Sequence, residues 1–165
     1  MIQQQHLSHV GSGQGRKVSV LGELVTFKLG GEGTAGAMAM VEQVTPPGGG
    51  VSFLHTHPPT EVFYVLDGEY EYYGQNEDGK YTIRCSAGDL IHIPGGAPHG
   101  FKNVGDHPGH LLVTFEPAGT MELFFGEIGI PVTDPTNLPP VTPPDPAVLG
   151  ALFQKYNIQA LEPLH

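Results

Sequence analysis

The stretch Gly49–Gly68, GGVSFLHTHPPTEVFYVLDG, decides how the rest of the chain is read. His55 and His57 stand two apart, so on an extended strand both side chains point to one face. Glu61 has the same parity, but four extended residues past His57 it would lie roughly 13 Å away. It reaches the histidines only if the chain turns between them. Pro58 and Pro59 lie in that gap, and two consecutive prolines cannot continue a ladder. The reading is a strand ending in His-x-His, a proline-fixed corner, and Glu61 opening the next strand. A lone histidine in a strand is more often a surface or core residue than a ligand. Two on one face with a carboxylate beyond a forced corner read instead as part of a metal site.

Outward from this stretch, Glu61–Leu66 continues as a strand with Glu61, Phe63 and Val65 on one face and Val62, Tyr64 and Leu66 on the other. Both faces are apolar, which implies burial on both sides, within a barrel or at a subunit interface. Asp67-Gly68 is a hairpin signal leading into Glu69–Tyr73. Asn76–Gly79 reads as a turn, Lys80–Cys85 as a strand, and Ala87-Gly88-Asp89 as a turn into Leu90–Ile93. Pro94-Gly95-Gly96 ends that strand, and His99–Val104 and His110–Glu116 follow as strands. Upstream, Lys17–Leu29 reads as two short strands or one bulged strand around Gly22, and Gly30–Gly33 as a turn. Ala35–Thr45 alternates weakly, with Met38 and Met40 on one face as core or pocket lining. Turns recurring every 8 to 12 residues or so are the spacing of an all-β sandwich or barrel.

The strand pattern stops near Pro117. Gly119–Glu127 reads as a short helix capped by Thr120, and Pro131–Pro146, with seven prolines, as an extended strap. Asp145-Pro146 is a helix start, with Asp as cap and Pro at the first position. Val148, Leu149, Leu152, Phe153 and Tyr156 recur at helical spacing and should lay one apolar stripe on the barrel. The expected organisation is a single domain over 1–165: an arm at 1–15, a core at 35–118, and the strap and helix at 119–165.

Composition narrows the partners. Lys+Arg is 7 against Asp+Glu 17, a formal net charge of −10, with no basic cluster. Such a chain gains nothing from counterion release on a phosphate backbone, so nucleic acid is not expected as a partner. Cys85 is the only cysteine, which excludes an internal disulfide and favours a reducing compartment; by itself it reads as a small buried hydrophobe. The opening MIQQQHLSHVGSGQG has no apolar signal core and no run approaches membrane-spanning length, so a cytoplasmic protein without membrane contact is expected. Val62, Tyr64 and Leu66, pointing away from the site, suggest a homodimer surface.

A fourth ligand is still needed, and His99 is the candidate, delivered by the Pro94-Gly95-Gly96 turn. The two segments read Gly49-x5-His55-x-His57-x3-Glu61-x6-Gly68 and Gly88-x5-Pro94-x-Gly96-x2-His99-x3-Asn103, nineteen residues apart. Both are complete matches to the paired signatures of the cupin family, which the chain resembles over about residues 35–118. The resemblance implies a jelly-roll β-barrel of two packed antiparallel sheets. It also implies one divalent transition metal per chain, held by His55, His57, Glu61 and His99. That donor set suits Mn, Fe, Co, Ni, Cu and Zn alike, and it leaves one or two positions open as in a catalytic site. His92 has the wrong parity for a ligand, His107 and His110 read as loop residues, and Asn103 as a residue holding a turn or a ligand's partner.

A cupin barrel does not by itself name a reaction. The expected inward set of Met38, Met40, Phe63, Val65 and Phe101 is apolar, and Arg16 and Arg84 are the only arginines. A sugar-phosphate or dicarboxylate site is therefore poorly supplied with fork-shaped cations. A flat, mostly apolar small molecule that meets the metal through an oxygen fits better. The chain looks most similar to quercetin 2,3-dioxygenase-like cupins, with looser similarity at its ends. That implies a metal-dependent dioxygenase cleaving a flavonol-like or enolic aromatic, with Glu61 as both ligand and general base. The alternatives are a non-oxidative cupin isomerase or cyclase and a non-catalytic small-molecule-binding barrel.

Overall fold

Two antiparallel sheets face each other across one apolar core in the computed structural model, which describes residues 6–162. The first five residues of the expected N-terminal arm lie outside the described residues, and 6–15 form no regular element. The chain runs β1 (Lys17–Val20), β2 (Glu23–Leu29), β3 (Ala39–Thr45), β4 (His55–Thr56), β5 (Thr60–Asp67), β6 (Glu69–Asn76) and β7 (Gly79–Ser86). It continues with β8 (Leu90–Ile93), β9 (His99–Asn103), β10 (Gly109–Glu116), α1 (Met121–Ile128), β11 (Ile130–Pro131), α2 (Pro146–Lys155) and β12 (Gln159–Ala160). One sheet is ordered β11-β1-β2-β3-β10-β5-β8 and the other β12-β4-β9-β6-β7. This is the cupin-type jelly roll, with the two sheets separate and no closed barrel among the described residues.

Alternation sets the inner faces. On β10 Leu111, Val113 and Phe115 are fully buried, and cross-strand register carries the same face sideways. One row reads Ala39, Phe115, Glu61, Ile93, and the next Val41, Val113, Phe63, Ile91. The facing sheet contributes Tyr70, Tyr72 and Phe101, with Phe63 centred 5.2 Å from both Tyr72 and Phe101. Truncating a ring this deeply packed, as in Phe63→Ala, costs about 3–5 kcal/mol through lost transfer energy and the cavity left behind.

Register corrects several sequence readings. Asp67-Gly68 is no hairpin: β5 and β6 lie in different sheets, and Gly68 (φ +99°) is the corner where the chain crosses between them. The true hairpin is β6–β7 around Asn76–Gly79. Met40 pairs with Thr114, which pairs with Val62, so it sits on the outer face; Met38 precedes the strand and is half-buried. The inward residues of β3 are instead Ala39, Val41, Gln43 and Thr45. Tyr64 and Leu66 are 40% and 43% exposed in the single chain, so of the two expected covers, barrel or subunit interface, the chain's own layers do not supply the first. His110 lies within β10, not in a loop.

The C-terminal third is more tightly integrated than a strap and one helix. Ile130 and Pro131 pair with β1, and β12 pairs with β4, Ala160 opposite His55. Asp145 caps α2 as expected, its carboxylate accepting from the Ala147 N–H at 2.7 Å. Thr120 makes no side-chain cap on α1; Glu122 instead accepts a hydrogen bond from the Gly119 N–H. The α2 stripe packs on α1, with Phe124 against Phe153 and Tyr156, and Val148 stays exposed. Phe125 of α1 meets Phe115, so the helices close over the end of the sandwich that holds Glu61.

Candidate metal centre

The proline corner does what its chemistry requires. His55 lies on β4 of the five-stranded sheet, His57 on the corner, and Glu61 on β5 of the seven-stranded sheet, so the turn carries the chain across the core. His99 opens β9 and is the direct cross-strand partner of His55. The second turn is locked onto the first: the Gly96 N–H donates to the His57 carbonyl at 2.9 Å. Gly95 lies so close that a Cβ there would stand 2.2 Å from the Pro58 carbonyl oxygen, so only glycine fits.

All four side chains are buried, and one ring nitrogen from each of His55, His57 and His99 lies within 4.8 Å of the others. The Nδ1 atoms face backbone carbonyls: His57 to Pro59 at 3.0 Å, His99 to Ala97 at 2.8 Å, and His55 to Phe53 at 3.4 Å. An Nδ1–H donating to a carbonyl leaves Nε2 as a lone pair, the tautomer of a ligating histidine. The Glu61 Oε2 stands 3.1 Å from His57 Nε2 and 3.2 Å from His99 Nε2. Three imidazole lone pairs and a carboxylate oxygen thus converge on one buried point. Only a proton or a cation shared among them relieves that crowding of electron pairs, so the donor set fits a transition metal.

Burial and the neighbouring His99 hold the His55 imidazole down to about 3, so it is neutral at physiological pH. Burial alone would raise Glu61, but its contacts with His57 and His99 outweigh that and pull the carboxylate down to about 2. Burial would likewise lower His99, yet the Glu61 contact wins and raises it. Of the expected pocket residues, Phe63, Val65 and Phe101 face the core and are buried, whereas Met40 does not share their face. Asn103 holds a turn, its side chain donating to Thr45 O and His107 O and accepting from the Gly105 N–H. His92 is exposed on the outer face of β8.

Residues 41–115 match the family model described as Cupin domain. The matched stretch runs from within β3 to near the end of β10 and contains His55, His57, Glu61 and His99. An acireductone dioxygenase of Enterobacter sp. (strain 638) is 31% identical over 75 residues, 44% of this chain and 41% of that protein. Germin-like protein 5-1 of Oryza sativa subsp. japonica is 36% identical over 90 residues, 53% of this chain and 40% of that protein. The matched parts therefore span less than half of either relative. Among solved structures, the polyketide cyclase RemF of Streptomyces resistomycificus superposes with a TM-score of 0.58 at 21% identity, over 67% of this chain and 80% of that one. At that identity the likeness is one of fold.

Proposed function

We propose that the chain is a metal-dependent cupin dioxygenase acting on an enolic small molecule, with its metal held by His55, His57, Glu61 and His99. The observation that carries the reading is the convergence of three Nδ1-anchored histidines with a buried carboxylate. The partial likeness to acireductone dioxygenases supports an oxidoreductase and, a reductone being by its chemistry an enediol, favours enolic substrates over flavonols within that class. A bound divalent metal would supply Lewis acidity and a meeting point for an enolate oxygen and dioxygen. The chain's own part is to present three imidazole nitrogens, to back the site with the buried Phe63 and Phe101, and to offer Glu61 as acceptor for the substrate's hydroxyl proton. At about 2 the Glu61 carboxylate is a weak base, below the near-neutral value that this role calls for. Metal analysis of the purified protein, then oxygen uptake with an enediol, a 1,3-diketone and a flavonol, tests the proposal. Stoichiometric metal with oxygen uptake on the enediol is expected. Metal without oxygen uptake on any of the three refutes the dioxygenase and leaves a Lewis-acid or binding role.

A further inference from the structure

The metal ligands share their row with a residue that no motif marks. In the five-stranded sheet, Tyr81 of β7 pairs with Gly74 of β6, Gly74 with His99 of β9, and His99 with His55 of β4. Directly opposed residues point to the same face of a sheet, so this row faces the core. Gly74 has no side chain, and the end of the Tyr81 ring occupies the space one would fill. A Cβ on Gly74 would stand 2.4 Å from Tyr81 Cζ and 2.5 Å from its hydroxyl oxygen. The phenol thus reaches across β6 toward His99. Its oxygen lies 2.5 Å from where a Gly74 Cβ would be, and that Cβ position is one cross-strand step of roughly 4.5–5.5 Å from the Cβ of His99. Tyr81 is 47% exposed, as befits the rim of the site and not its floor.

The chemistry of the row explains what such a hydroxyl does. Every group at the centre donates electron pairs: three imidazole nitrogens and a carboxylate, with the Nδ1 atoms engaged by carbonyls. An anionic oxygen or nitrogen bound there meets no hydrogen-bond donor among those four side chains. We infer that Tyr81 supplies it, its O–H donating to an anion or enolate bound at the metal, with Gly74 as the gap that lets the ring lie inward. The inference rests on the metal reading of the site and goes beyond it by naming a residue that contacts the substrate.

The test uses cobalt(II) as metal and azide as anion, titrated while following the visible absorption of the cobalt. Tyr81→Phe should keep the full cobalt content and bind azide about tenfold more weakly, the effect of losing one hydrogen bond to a charged group. Gly74→Ala retains the hydroxyl but forces the ring aside, and should reproduce the loss. Equal azide affinities in the wild type and Tyr81→Phe, with cobalt bound in both, overturn this inference alone. Azide affinity unchanged in Gly74→Ala overturns it as well. Cobalt bound by neither the wild type nor Tyr81→Phe overturns the metal reading, and this inference with it.

Discussion

In the proposed mechanism Glu61 carries the most chemistry of any single side chain, and substitution separates its role from that of the histidines. Glu61→Gln keeps an oxygen at the site but cannot take a proton, so turnover should fall about 10²–10⁴-fold while most of the metal is retained. His55→Ala and His99→Ala remove a nitrogen donor outright and should lose metal and activity together. A Glu61→Gln protein with normal metal and normal rate would remove the base from the mechanism. Glu23 offers a second test, at the far end of the inner face. It is buried and accepts hydrogen bonds from Gln43 and, at 3.0 Å, from Thr45. Burial outweighs those bonds and raises its carboxyl from 4.5 to about 7. Between those values the folded protein holds a proton that the unfolded chain has released, so stability falls as pH rises through that window. The contribution is on the order of 3 kcal/mol, and Glu23→Gln should flatten the change in Tm between pH 5 and pH 7.5. An unchanged slope in that variant would assign the dependence elsewhere. Of these residues the sequence marks Glu61, because a His-x-His and two prolines give it a geometry to satisfy. Glu23 carries no such pattern; its burial comes from pairing with a strand end some twenty residues away.

Among the elements, β4 is the most delicate. It has two residues and is held on one side by a single pair with β9, on the other by β12. The Leu161 N–H also donates to Leu54 O at 2.8 Å, so the C-terminal segment is what keeps β4 from being an edge. Ending the chain at Tyr156 should therefore weaken metal retention while leaving the sandwich folded. Dialysis against a weak chelator would show faster metal loss than in the full chain, and an equal rate would mean that β4 needs no such support. The core strands and α2 were legible because alternation and the Asp-Pro cap are local signals. β12 was not, since two residues whose partner lies a hundred positions upstream leave no periodicity. The Asp67-Gly68 misreading has the same root: a glycine with positive φ serves a sheet-to-sheet corner as well as a hairpin, and only the pairing partners tell them apart. The Tyr81–Gly74 pairing, by contrast, follows from counting back from the Asn76–Gly79 turn and was within reach of the sequence.

Across the whole molecule, the outer face of the seven-stranded sheet is the surface most in need of cover. Tyr64, Leu66 and Leu90 are 40%, 43% and 56% exposed, and Tyr64 and Leu90 are direct cross-strand partners. Their grouping suits an isologous contact with a second copy. Light scattering at micromolar concentration should give twice the 17.6 kDa chain mass, and Tyr64→Glu should return a monomer. A monomeric wild type would leave these side chains as plain surface. Among the described residues no helix is long and apolar enough to cross a membrane.

The placement of the four candidate ligands has one more consequence. His55 and His99 from one sheet and Glu61 from the other would make a bound ion a rivet through the sandwich, a second polar tie between the layers beside the Asn103 to Thr45 hydrogen bond. Separating the layers would then require breaking a coordination bond first. The stripped protein should accordingly open faster than the loaded one, with amide hydrogens on β5 and β9 exchanging sooner although neither strand has changed its hydrogen bonds.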